Sequence, residues 1–400
     1  MTGSDRKARA VRAAVIASVA GAAILAGCSA QPAAQHDTKP VTETGTSAQG
    51  PRIAVAYAGG VLVVDGGSLE VIDDFSSEEF VRVNPAGDDR HVVVTTSRGF
   101  QFLDMREPEL TDHVVSAAAA GHVVRHAGRT VLYDDATSDT TIFDSAQLAA
   151  MEDELPEGQV IPGVTAHHGV SVLLDNGEFA TTVGDEKGRT GIRITDADGT
   201  EIAVSAQCPG VHGEGAAQGE ALVFGCEDGA LLYRDGEITK LDAPDEFGRI
   251  GNAYASDDSS HVLMDYKDDT DAEGYLLKNL ALLDTQAKTL GTVALPDGIA
   301  YTWRGVVRSP SGDGLMIGSD GQLHVIDPAT GEITASYDAI EPWDSPAEWQ
   351  QPHPAIAVSG DLVYVTDSAN SEIVALDIAT GDVVARGELP EVPNEIAVVD

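Results

Sequence analysis

Four histidines stand at equivalent places in a repeating pattern. His122, His168, His212 and His353 each occur where an inner strand should begin. Neutral imidazole is a good ligand for Zn2+, as is a carboxylate. His167, His126 and Glu214 flank this set, and Asp112 and His113 lie upstream of it. Residues this far apart in sequence hold a cation only if the fold gathers them. The alternative is that they are polar residues of a channel wall, bridged by water. His91, His261 and His324 sit in strands or at their entries and read as structural, while His36 falls in a polar stretch. The chain has 5 Met and 3 Cys, so soft ligands for Cu(I) are scarce. Cu(II) stays a competitor for the same nitrogens.

What must position these residues is a repeat. An apolar strand, an Asp, a short turn and another strand recur at Asp65, Asp104, Asp144, Asp196, Asp235, Asp284, Asp327 and Asp377. Periods in this range belong to propellers and solenoids. An Asp at the head of such a turn can accept hydrogen bonds from backbone N–H groups just beyond it. A second landmark, the start of the innermost strand, falls near Arg82, His122, His168, His212, Asn252, Arg304, His353 and Pro393. The last of these is followed only by Glu395-Ile396-Ala397-Val398-Val399-Asp400. The missing partners lie at the other end, in Ile53 to Tyr57, Val61 to Val64 and Leu69 to Ile72.

The expected fold is therefore all-β: a β-propeller of eight four-stranded blades, closed by pairing of the N- and C-terminal strands. Such closure removes open sheet edges. If the weak unit at Asp235 is misread the ring has seven blades, and a pair of β-sandwiches is the structural alternative. No GxSxG, P-loop or dinucleotide fingerprint occurs in a fitting context, so no α/β enzyme is indicated.

The formal net charge is −41, with 24 Lys+Arg against 65 Asp+Glu. That field repels polyanions, so nucleic acid is not an expected partner. Arg6, Lys7, Arg9 and Arg12 precede an apolar stretch from Ala13 to Gly27. It ends in Leu25-Ala26-Gly27-Cys28, the pattern of a bacterial lipoprotein signal peptide. The expected organisation is a signal peptide at 1–27, a flexible lipid-anchored tether at 28–50 and one propeller domain at 51–400. Lipidation at Cys28 would fix the exported protein to the outer face of the cytoplasmic membrane. Cys208 and Cys226 remain, and outside the cytoplasm a disulfide between them is expected; a Cys metal-ligand pair is the other option. The bridge would brace the loop carrying His212. A monomer is expected.

Several segments together resemble the AztD-type zinc metallochaperones, exported β-propeller proteins associated with zinc ABC importers. They are Gly121-His122-Val123-Val124-Arg125-His126-Ala127-Gly128, His167-His168-Gly169-Val170, Cys208-Pro209-Gly210-Val211-His212-Gly213-Glu214, Pro352-His353-Pro354 and Pro393-Asn394-Glu395-Ile396-Ala397-Val398. The resemblance implies Zn2+ as the bound ion and the solute-binding protein of a zinc ABC importer as the partner. Carried over, His122, His168, His212 and His353 are the first choices as ligands, with His126, His167 and Glu214 second. Members carry a His/Asp-rich stretch before the Gly-His-Val-Val motif; here only Asp112-His113 stands there. On this reading the imidazoles hold the ion at neutral pH and let it go as they protonate, and the partner's ligands replace them one by one.

Two rivals stay open. One is a propeller enzyme, either quinoprotein-like or a lactonase-like Ca2+ site citing Asn252, Asn394 and Glu395. Trp at only 303, 343 and 349 argues against repeated Trp docking motifs. The other is a metal-free interaction scaffold.

Overall fold

The computed structural model describes residues 50–400 other than 153 and 273. The proposed signal peptide, Cys28, the tether and His36 lie outside the described residues.

Eight four-stranded antiparallel sheets follow one another along the chain. Blades 2 to 8 span 82–116, 120–161, 171–205, 212–242, 253–294, 306–338 and 356–388, each running from its innermost strand outwards. Blade 1 is composite. Its innermost strand, Ile396–Val399, pairs antiparallel with Arg52–Tyr57, register Val55↔Ile396 through Arg52↔Val399. The two ends of the chain thus close the ring. Among the described residues the one α-helix is short, Ser145–Ala149, and lies in blade 3 before its outermost strand.

The repeated Asp does what its chemistry allows. Asp65, Asp104, Asp144, Asp196, Asp284, Asp327 and Asp377 each accept a hydrogen bond from a backbone N–H two to four residues on. Asp235 departs from the rule. It has φ 53° and Gly236 has φ 81°, a tight two-residue hairpin that needs no side-chain acceptor. That unit is nevertheless a full blade, so the seven-blade count falls away. One boundary shifts: Leu69, expected in a strand, sits at φ 59° in the turn, and the outer strand of blade 1 is Val71–Ser76.

Alternation along the strands sends apolar side chains to both faces of each blade, where they meet the neighbouring blades. Buried clusters form this way between blades 1 and 2 (Ala54, Val63, Val83, Val94) and between blades 4 and 5 (Val172, Ile194, Leu222, Phe224). Between blades 3 and 4 the buried apolar cluster is only Val131, Ile142 and Phe179. That seam is instead crossed by hydroxyls, with Thr140 Oγ1 2.9 Å from Ser171 Oγ. Cys208 and Cys226 form a disulfide with Cα atoms 4.9 Å apart. It ties the segment before the inner strand of blade 5 to the end of the second strand, Ala221–Cys226.

Candidate metal centre

Six of the eight inner-strand landmarks, Arg82, His122, His168, His212, Asn252 and Arg304, line one cavity of about 1450 Å3 at a mouth of the channel. His122, His168 and His212, from blades 3, 4 and 5, line it together. Their ring centroids are 5.0 to 5.2 Å apart. One nitrogen from each lies within 4.8 Å of the others, the one such group of three metal-ligating side chains among the described residues.

Local irregularities aim them. In the inner strand Ala120–His126 the register against the second strand slips between Ala120 and Val123. In His212–Ala217 it slips between His212 and Glu214, with Gly213 at φ +64°. A β-bulge at each site turns a side chain that regular alternation would send elsewhere. A Cβ on Gly213 would strike the carbonyl of Gly251, and one on Gly121 would strike the Asp135 carboxylate.

The outer nitrogens decide the chemistry. His122 Nδ1 donates to Gly169 O at 2.8 Å, and His212 Nδ1 donates to Gly251 O at 2.6 Å. A carbonyl only accepts, so both neutral rings carry their proton on Nδ1. His168 Nδ1 is held in the same way by Asp135 Oδ2 at 2.6 Å. With all three rings neutral in that tautomer, the Nε2 atoms are bare lone pairs. Those of His168 and His212 face each other at 3.2 Å. Two lone pairs at that distance repel unless a cation lies between them. Tetrahedral Zn2+ with Zn–N of about 2.0–2.1 Å places its nitrogens roughly 3.3 Å apart. The His168–His212 spacing therefore matches that of two zinc ligands, with a nitrogen of His122 within 4.8 Å as a third. Oxygen acceptors behind each ring are the usual support for such ligands.

Behind His212 the support continues one layer further. The buried Asp265 accepts from Gly251 N at 2.5 Å, from Asn252 N at 3.0 Å and from Asn252 Nδ2 at 2.7 Å. This fixes the carbonyl that orients the ring. Asp135 and Asp265 were not anticipated from the sequence. A carboxylate just past the second strand of a blade was the available sign for Asp135; for Asp265 there was none.

The remaining expectations fare differently. His353 is not in the cluster. It is 3 % exposed, on blade 8, donates from Nδ1 to Gln351 O at 2.7 Å and lies beside Arg304. His167 is used up by four partners: Tyr133 and Thr182 at Nε2, Thr165 O and Ser138 at Nδ1. His126 ends the same inner strand as His122 but binds the Glu220 carboxylate at 3.0 Å. Asp112 and His113 are on the outermost strand of blade 2, Glu109–Ser116, away from the channel. Glu214 does line the cavity, and burial pushes its carboxyl up to about 7. The lactonase-like set is committed elsewhere: Asn252 to Asp265, Asn394 to Arg304, Glu395 to Arg82 and Arg304. His91 pairs with Asp88 and His324 with Ser336 and Asp320, as structural residues do.

No protein-family model matches the chain. A curated protein of Citrobacter koseri, the zinc chaperone AztD, is 27 % identical over 304 residues, which is 72 % of this chain and 69 % of AztD. The chain is similar in sequence to AztD over that span. The solved apo structure of AztD from the same organism superimposes with a TM-score of 0.69 at 22 % identity, covering 87 % of this chain and 97 % of that one. The dihydro-heme d1 dehydrogenase NirN, at 12 % identity and TM-score 0.57, covers 86 % of this chain and 74 % of its own. These structural likenesses concern the propeller fold alone, and the likeness to AztD rests also on the sequence.

Burial, then the two neighbouring imidazoles, pushes His122 down to about 3; burial likewise brings His212 to about 3. Proton-driven release near neutral pH, expected from ordinary histidines, does not fit such rings. The shift also has a consequence for the zinc-free fold. Between about pH 6.5 and pH 3 the unfolded chain binds more protons at these positions than the folded one. Stability is thus unaffected by them above that window and falls as pH drops through it, by at most about 1.4 kcal/mol per pH unit per ring. Thermal melts of zinc-free protein from pH 7 to pH 4 should show the decline, and H212N should flatten it. An equal slope in H212N would contradict the assignment.

Proposed function

We propose that this chain is an extracytoplasmic zinc metallochaperone. It holds Zn2+ on His122, His168 and His212 and passes it to the solute-binding protein of a zinc ABC importer. The observation that carries the reading is the pair of Nε2 atoms of His168 and His212, 3.2 Å apart at an open channel mouth, with an acceptor oxygen behind each ring's Nδ1. The kinship with a zinc chaperone, not with an enzyme, supports it.

Three neutral ligands and an open position suit a carrier better than a store. Structural zinc sites close all four positions, whereas an open one admits an incoming ligand. The acceptor's residue can bind there before any imidazole leaves, so the ion is never released to water. His168 is the natural first to let go, because its ring is 47 % exposed while the other two are partly buried. Export and a lipid anchor at Cys28 would hold the donor beside a membrane importer and raise its effective concentration.

The test is a transfer assay. Zinc-loaded protein is mixed with the zinc-free solute-binding protein of a zinc importer, with a chelator present as a trap for free ion. Transfer that is faster than spontaneous dissociation and insensitive to the trap is expected. Transfer limited by dissociation into the trap would refute direct hand-over.

A further inference from the structure

Away from the imidazoles, the same cavity has a second charged wall. Arg82 opens the inner strand of blade 2, and Arg304 stands in the 3-10 turn Trp303–Gly305 that leads into blade 7. Both guanidiniums converge on one carboxylate, that of Glu395. Arg82 Nε donates to its two oxygens at 3.0 and 3.2 Å, and Arg304 Nη2 lies 3.0 Å from Oε1. Arg304 Nη1 donates to Asn394 Oδ1. The Nε–H of Arg304 has no acceptor, although the side chain is only 2 % exposed. An unsatisfied, charged donor at such depth is costly unless something else meets it.

Two positive charges therefore share one negative charge, in a chain with 65 acidic and 24 basic residues. Aromatic rings flank the pair. The Trp303 ring lies 4.9 Å from the Arg82 guanidinium and 5.0 Å from that of Arg304; Trp349 lies 6.0 Å from Arg82. All five residues line the cavity. None belongs to the imidazole cluster.

The geometry points to a second ligand site in the channel mouth: a small monocarboxylate, its carboxylate on the terminal nitrogens of Arg82 with the buried Arg304 charge behind, and its apolar body against Trp303 and Trp349. Planar guanidinium forks match the two oxygens of a carboxylate. A single surplus charge selects a monoanion, since a second negative charge beside Glu395 would go uncompensated. Indole faces take up an apolar group at little entropic cost. Arg82 keeps its terminal nitrogens for the ligand, because it meets Glu395 through Nε.

Benzoate is the probe. Chelator-treated, zinc-free protein is titrated at constant ionic strength, followed by calorimetry and by tryptophan fluorescence; two of the three Trp line the site. Saturable binding at one site is expected. R82Q should weaken it by about tenfold or more, since a charge-assisted fork is lost while Glu395 keeps Arg304. R82K should fall between the two. H168A should bind benzoate as the unaltered protein does, which separates this site from the zinc reading. Absence of saturation, undiminished affinity in R82Q, or sulfate competing as well as acetate would overturn the proposal.

Discussion

If the three imidazoles hold zinc, H168A should lose tight zinc binding and keep its fold. The His168 ring is 47 % exposed, so removing it uncovers little apolar surface. What it removes is one of three nitrogens. The Nε2 of His212, 3.2 Å away, is left with one partner at best. A two-imidazole remnant with two water-filled positions binds zinc no better than scattered surface histidines do. Replacing a supporting group should do less: D135N leaves the ring in place but replaces the carboxylate that anchors it. Losses of roughly 10–100-fold are usual for such partners, and H168A should exceed D135N clearly. Calorimetric titration of chelator-stripped protein reads both, and melts confirm the fold. Unchanged affinity in H168A would remove the centre from this mouth. H353A serves as the contrast: that ring is outside the cluster and should leave zinc affinity as it was.

Ending the chain at Val392 should abolish cooperative folding. The deletion takes away the innermost strand of blade 1, so Arg52–Tyr57 loses its partner along the register from Val55 to Arg52. Ala397, Val398 and Val399, all nearly buried, leave the interfaces of blade 1 with blades 2 and 8. Asn394 and Glu395 go too, which strips the buried Arg304 of its amide and carboxylate partners. Breaking one buried ion pair by removing a single member costs about 3–5 kcal/mol on its own. Added to an opened sheet, that rivals the roughly 5–15 kcal/mol net stability of an ordinary domain. Circular dichroism and chemical denaturation check it. A two-state transition with an unchanged midpoint would mean that the ring stands without its clasp.

Much of the architecture was readable before any coordinates. Period, the turn-heading Asp and the orphan strand at residues 396–399 together specify a closed ring, because each is a local or counting property. A strand lacking neighbours of its own must borrow them, and the N-terminal segment was the one with strands to lend. The Cys208–Cys226 pairing was equally accessible, since its two ends meet at one end of a single hairpin.

The membership of the centre was only partly readable. Three of four first-choice histidines meet, and they come from consecutive blades, the closest neighbours around the ring. His353 obeys the same landmark, yet blade 8 lies away from blades 3 to 5, and register along a chain says nothing about distance across a pore. Direction was hidden too. His122 and His212 reach the cluster through bulges, which break the alternation from which a side chain's face is inferred. The amino-acid sequence by itself determined which residue types stand at each blade's inner edge and that the edges form a circle. Only the tertiary structure decided which imidazoles share a focus, which nitrogen each one offers and which oxygens stand behind it. Those depend on contacts such as Asp135 with His168, between residues of different blades, and no spacing along the chain encodes them.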